Sequence, residues 1–221
     1  MHESYRPDQR VDTAALDRFL GEQAEELTAA LRPVMNDAFY GIPNPHLARG
    51  KEGDYESLLF RDINRPSVLA DDVFEPLVAT LTHRHGLKVE PAELPYDHLG
   101  VYTGGAIRYR HELTGNLKAS VLAHEAGHHF GKHIPHEETD PGQEAIAESA
   151  AMIALSSFGI DTSRVSLPEI ARYIARTAET NGFQLWSPTQ EGIPLGMRHA
   201  QAAAREIVLA VEAARVSRGL R

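Results

Sequence analysis

Residues 121 to 133 read VLAHEAGHHFGKH. Within this stretch His124, Glu125 and His128 form the pattern H-E-x-x-H, in which two imidazoles on one helix hold a zinc ion and the glutamate acts as base. Residues four apart on a helix lie one above the other, so both rings can reach a single ion. Glu125 sits about 100° round from His124, near enough to touch a metal-activated water without being a ligand. Leu117, Val121, His124 and His128 follow one another at spacings of four, three and four, a single core-facing row. The histidines therefore continue an apolar stripe. Gly127 between them leaves room for close packing, at a helix cost of about 1 kcal/mol.

A catalytic zinc needs a third protein ligand and keeps one position for water. The chain has no cysteine, so the ligand must be histidine or a carboxylate. One route is the metzincin pattern H-E-x-x-H-x-x-G-x-x-H. Gly131 matches its glycine, but Ile134 stands where the last histidine belongs, and His133 comes one residue early. The other route is a carboxylate from the following helix, as in gluzincins. GQEAIAESAAMIAL offers Glu144 and Glu148, one turn apart on a stripe otherwise apolar or small. An uncompensated carboxylate there is costly, and a cation compensates it. Glu148, flanked by Ser149, Ala150 and Ala151, is preferred as the ligand. Glu144 is the alternative, or else it orients His124 or His128 from behind.

The elements that must position these groups read as mostly helical. Asp12 opens a helix over residues 12 to 32 with Leu16, Phe19, Leu20, Ala24, Leu27 and Leu31 on one side, and Pro33 is expected to disturb or end it. Residues 41 to 66 are rich in Gly, Pro and charge and read as loop, with one short apolar element at Tyr55 to Phe60. A helix follows Asp72, where Glu75 completes a capping box, and stops at Gly86. LKVE is a strand, and GVYTGGAIRYR a hairpin turning at Gly104–Gly105. The metal helix runs from about Asn116 to Gly131. Asp140, Pro141 and Gln143 announce the next, which ends at Gly159. A capping box at Ser166 and Glu169 opens another, and the last runs from near Leu195 into the 210s. The fold class expected is α+β: a helical domain with a small sheet or hairpin before the metal helix. The expected division is an N-terminal extension of unknown role over 1–65 and a metallopeptidase domain over 66–221.

LAHEAGHHF, AIAESAAMIALSSFGIDTS and the later YIAR and AAREI segments resemble ImmA/IrrE-type zinc metallopeptidases, closest to the metallopeptidase part of ArdC-like antirestriction proteins. The resemblance covers roughly residues 95 to 215, and its specific parts are HEAGH and AESAAMIAL. It implies a zincin-like fold, a Zn²⁺ cofactor and a third zinc ligand at Glu148. It also implies a strand before the metal helix lying along the cleft, and a protein or peptide substrate such as a regulatory DNA-binding protein. The chain departs from ArdC in lacking a recognisable single-stranded-DNA-binding domain, and residues 1 to 90 match nothing nameable.

The chemistry that follows is peptide hydrolysis by zinc-activated water, with Glu125 as general base. Tyr102, Tyr109, His98 and Tyr173 are candidates for stabilising the oxyanion. The alternative is a non-catalytic regulatory or antirestriction protein that binds a partner around a structural zinc. The 221 residues carry a formal charge of −9, so a surface that coats nucleic acid is not expected. No run of 18 apolar residues occurs, the opening MHESYRPDQR lacks the apolar core of a signal peptide, and cysteine is absent. The expectation is a cytoplasmic enzyme. Elsewhere the plain readings suffice. His83, Arg84 and His85 suit the negative end of a helix dipole; His129, His133 and His136 lie on solvated turns; Met152 is core; Arg108 and Arg110 guard a strand edge.

Overall fold

The computed structural model describes residues 12–40, 67–95, 98–132, 140–177, 183–187 and 192–217. The Tyr55–Phe60 element, His133, His136 and the expected boundary between 65 and 66 lie outside them.

Helix α1 (Thr13–Tyr40) starts where Asp12 Oδ1 accepts the amides of Ala14 and Ala15, at 3.0 and 3.1 Å. Its stripe of Leu16, Leu20, Ala24, Leu27 and Leu31 is buried. The helix continues through Pro33 instead of ending there. Pro33 faces solvent while Leu31, Val34 and Met35 around it are buried, and that burial offsets the roughly 3 kcal/mol of a helix-interior proline. Helix α2 (Val68–His83) begins earlier than expected, because the Ser67 hydroxyl accepts the Ala70 amide at 3.3 Å. A serine side chain in extended backbone outcompetes the later capping box.

Strands β1 (Lys88–Ala92), β2 (Gly100–Tyr102) and β3 (Ala106–Arg110) form a sheet in the order β1-β3-β2. The hairpin pairs β2 antiparallel to β3, and β1 joins β3 in parallel. Among the described strands β2 is therefore an edge, and it packs against helix α3 (Gly115–Phe130). Helix α4 (Pro141–Ser157) is capped by Asp140, whose Oδ1 accepts the Gly142 amide at 2.7 Å. Helix α5 (Ser163–Thr177) precedes a short α6 (Phe183–Trp186), which was not expected, and α7 (Leu195–Ser217). One buried cluster takes in Leu20 and Leu31 of α1, Leu77 of α2, Leu122 of α3, Ile153 of α4, Ile170 of α5 and Ile207 of α7. Helix α4, small and apolar along nearly its whole length, sits at the centre and meets α3, α5 and α7. This is a mostly helical α+β arrangement. Among the described residues no helix is long and apolar enough to cross a membrane.

Candidate metal centre

The site lies where α3 meets α4. Gly127 makes the approach possible: a Cβ there would stand 3.0 Å from both the Cα and the carbonyl oxygen of Ala147. The two helices run antiparallel, so His124 faces Glu148 and His128 faces Glu144. His124 Nδ1 is 2.7 Å from Glu148 Oε2, and its Nε2 is 3.2 Å from Glu144 Oε2. His128 Nε2 lies 3.4 Å from Glu144 Oε1 and 3.1 Å from His124 Nε2. Ligand atoms of His124, His128 and Glu144 all fall within 4.8 Å of one another, and this group could hold a metal ion.

The structure gathers Glu144, the expected alternative, with His124 and His128, and leaves the preferred Glu148 outside that group. Glu144 stands beside both Nε2 atoms, where a ligand belongs, and Glu148 accepts from Nδ1, where an orienting carboxylate belongs. The reason is which ring nitrogen each carboxylate meets, Nε2 of both histidines for Glu144 and Nδ1 of His124 for Glu148. Both imidazoles converge through Nε2, and the earlier residue on α4 lies opposite the later residue on α3.

Hydrogen-bond accounting tests whether a metal fits. Glu148 fixes a proton on His124 Nδ1, so the Nε2 of a neutral ring presents a lone pair to the Glu144 carboxylate and to His128 Nε2. When His128 carries its proton on Nδ1 as well, three acceptors face one another in a buried place, an arrangement that a cation or an extra proton resolves. Zinc takes imidazole nitrogens at about 2.0–2.1 Å, which puts two tetrahedral ligands about 3.4 Å apart. The 3.1 Å between the two Nε2 atoms is close to that bite. The donor set fits a divalent cation.

Burial by itself lowers the pKa of His124, but the hydrogen bonds and charges of Glu144 and Glu148 outweigh it and hold the ring well above its usual range. Burial likewise raises Glu144, and the two imidazoles more than reverse this and keep its carboxyl ionised far into acid. Without an ion, a proton on His124 does the work of one.

Glu125, 6% exposed, lies outside the donor group. Burial raises its pKa, countered in part by the charges of His124 and His128 and by the Tyr102 backbone amide, which donates to its carboxylate. Strand β2 comes unusually close here. A Cβ on Gly100 would meet Glu125 Oε1 at 2.6 Å and Val121 Cγ1 at 2.7 Å. The Arg110 amide donates to the Leu99 carbonyl and the Thr103 amide to the Ala106 carbonyl. By the alternation of an antiparallel pair, the amides and carbonyls of Gly100 and Tyr102 point away from β3, to the side where no described strand pairs.

Among the three candidate tyrosines, Tyr173 on α5 is the one coupled to the metal centre: burial first, then the charge of Glu144, pushes its phenol up to about 12. Burial raises Tyr102, and burial with the charge of Glu75 raises Tyr109. Two features were not legible as site residues. Gly100 carried no signal beyond being a glycine at a strand start. Glu169, expected as a capping residue, is instead buried and paired with Arg172, and its pKa is raised by burial, with the charge of Glu148 contributing. Comparison with protein-family models, with curated proteins and with solved structures finds no match for this chain.

Proposed function

We propose that the chain is a zinc-dependent metallopeptidase acting on a protein or peptide in the cytoplasm, with His124, His128 and Glu144 as ligands and Glu125 as general base. The observation that carries this reading is the division of labour at the site. Two Nε2 atoms and one carboxylate converge, while a second buried carboxylate, Glu125, stands one residue along the helix outside that group and against a strand edge. The likeness of HEAGH and AESAAMIAL to ImmA/IrrE-type peptidases supports the same reading, and it makes a regulatory DNA-binding protein one class of substrate.

Zinc, when bound, supplies Lewis-acid polarisation of a carbonyl and an acidified water. Glu125 accepts a proton from the attacking water and passes it to the leaving amine. A carboxyl whose pKa is raised by burial suits both halves of that exchange near neutral pH. Glu148 holds the His124 ring through Nδ1 and fixes its tautomer. Tyr173, kept protonated at neutral pH, is a hydrogen-bond donor for the charge that develops on the carbonyl oxygen. An extended peptide adds to β2 through the outward amides and carbonyls of Gly100 and Tyr102. Pairing at Tyr102 takes over the amide that Glu125 now occupies and frees the carboxylate beside the scissile bond.

The test is metal analysis followed by cleavage mapping against a whole proteome, wild type beside Glu125→Gln. The expected result is about one zinc per chain in both proteins and cleavage by the wild type alone. Equal cleavage by both would refute Glu125 as base. Bound zinc with no cleavage by either would favour a non-catalytic, partner-binding protein.

A further inference from the structure

Two histidines outside the metal centre meet on the surface beside it. His85 lies in the turn after α2, and His129 in the last turn of α3. His129 Nε2 is 3.1 Å from His85 Nδ1. Their rings stand edge to face at 88°, and both pack edge-on against Phe130 with centroids 5.1 Å away. Phe130 thus holds both imidazoles in place from one side.

The hydrogen bonds behind His129 decide what it offers. The Tyr102 hydroxyl is 3.3 Å from His129 Nδ1 and 3.4 Å from the Gly104 carbonyl oxygen. A carbonyl only accepts, so satisfying both contacts commits the one phenolic proton to Gly104. The phenolic oxygen must then accept from His129 Nδ1–H. That tautomer leaves a lone pair on His129 Nε2, aimed at His85. The chain His129 to Tyr102 to Gly104 is the kind of support that fixes the tautomer of a metal-binding imidazole. Two nitrogens on one cation, at about 2.0–2.1 Å each, stand about 2.9 Å apart in square or octahedral geometry and about 3.4 Å apart in tetrahedral geometry. The observed 3.1 Å falls between these limits.

We propose that His85 and His129 form a second, open site for a divalent transition cation of the kind that prefers imidazole, such as Zn²⁺, Ni²⁺ or Cu²⁺, with water completing its shell. The cation joins the end of α2 to the end of α3, one residue from His128. With two protein ligands instead of three, this site is the weaker of the two. It does not depend on the peptidase reading, because it uses neither Glu125 nor the donors of the metal centre.

The test is calorimetric titration of the full-length, metal-free chain with Zn²⁺. The wild type is expected to bind in two steps. His85→Gln, at an exposed ring, abolishes the weaker step and leaves the tighter one. His124→Gln removes the tighter step and leaves the weaker. Tyr102→Phe keeps the backbone amide but frees the tautomer of His129, and weakens only the second step, by roughly tenfold. A wild-type titration with no step that His85→Gln removes, or with a His85-dependent step unchanged in Tyr102→Phe, overturns the proposal. Failure of the tighter step alone counts against the metal centre and leaves this site standing.

Discussion

Gly127→Ala tests whether the close approach of α3 and α4 builds the metal centre. An added Cβ lies 3.0 Å from Ala147 Cα and carbonyl oxygen and 3.3 Å from its Cβ. Comfortable carbon contacts begin near 3.5 Å, so the helices must part by roughly 0.5 Å. The obstructing atoms are backbone and cannot rotate aside, which places the cost in the upper part of the roughly 1–3 kcal/mol expected for overpacking. Alanine returns about 1 kcal/mol of helix propensity. The net is a loss of about 1–2 kcal/mol, or a fall in melting temperature of roughly 2–8 °C for a chain of this size. The same separation carries Glu144 on α4 away from the two imidazoles on α3. Metal–ligand distances tolerate only about 0.2 Å, so zinc affinity should fall by about tenfold or more. Thermal melts of the metal-free protein and chelator competition for zinc measure the two effects separately. If Gly127→Ala melts higher and binds zinc as tightly as the wild type, the packing argument is wrong.

The two glutamates should separate in the same competition assay: Glu148→Gln should weaken zinc by roughly 10–100-fold, as loss of an orienting partner does, and Glu144→Gln by more. A larger loss from Glu148→Gln would reverse their assigned roles. Gly100→Ala should displace the Glu125 carboxylate while leaving zinc affinity within about threefold, because the new Cβ strikes Glu125 and Val121 but none of the ligands; proteome cleavage should fall, and undiminished cleavage would show that β2 does not position the base. Metal-free protein should be most stable at mildly acidic pH. His124, raised in the folded state, contributes stability present below its unfolded value near 6.5 and lost as pH rises through the folded one. Glu144, depressed, contributes stability present above about 4.5 and lost as pH falls. Glu125, raised by burial, adds to the alkaline loss. Melting temperature in chelator should therefore decline from pH 6 to pH 8, and the gain on adding zinc should grow over that interval; a metal-free melt that rises there would contradict the charge arrangement.

The helices and the hairpin were legible because their signals are local. Asp140 and Pro141 announce α4 through one cap and one fixed φ, and Gly159, at φ +76, ends it. Gly104–Gly105 gives the turn between β2 and β3. The parallel pairing of β1 with β3 was not legible, since it depends on strands separated by the whole of β2. Pro33 misled because propensity is local while the burial of Val34 and Met35 is not. Within the site, H-E-x-x-H fixes one face of one helix, and the sequence also places two carboxylates on the next. It cannot choose between them: His124 with Glu148 and His128 with Glu144 are equivalent pairings of antiparallel helices. What distinguishes them is which ring nitrogen each carboxylate meets, a rotamer property that spacing does not encode.

Charge balance explains why that rotamer outcome matters. Glu144 and Glu148 are both 8% exposed, and among the described residues their ion pairs are with the two imidazoles and with no lysine or arginine. With neutral histidines, Glu144 and Glu148 together contribute two negative charges to the pocket. One proton on His124 offsets half of this; one divalent cation offsets all of it and returns His124 to the neutral form that a ligand must have. Arg172 does not offset this charge, since it is paired with Glu169. The pocket is thus arranged for a charge of +2 at the point where the Nε2 lone pairs meet, and loading the metal should release the proton from His124. Calorimetry of zinc binding at pH 7 in buffers of different ionisation enthalpy measures that release directly. Close to one proton per zinc is expected, and none would mean that His124 is already neutral in the metal-free protein.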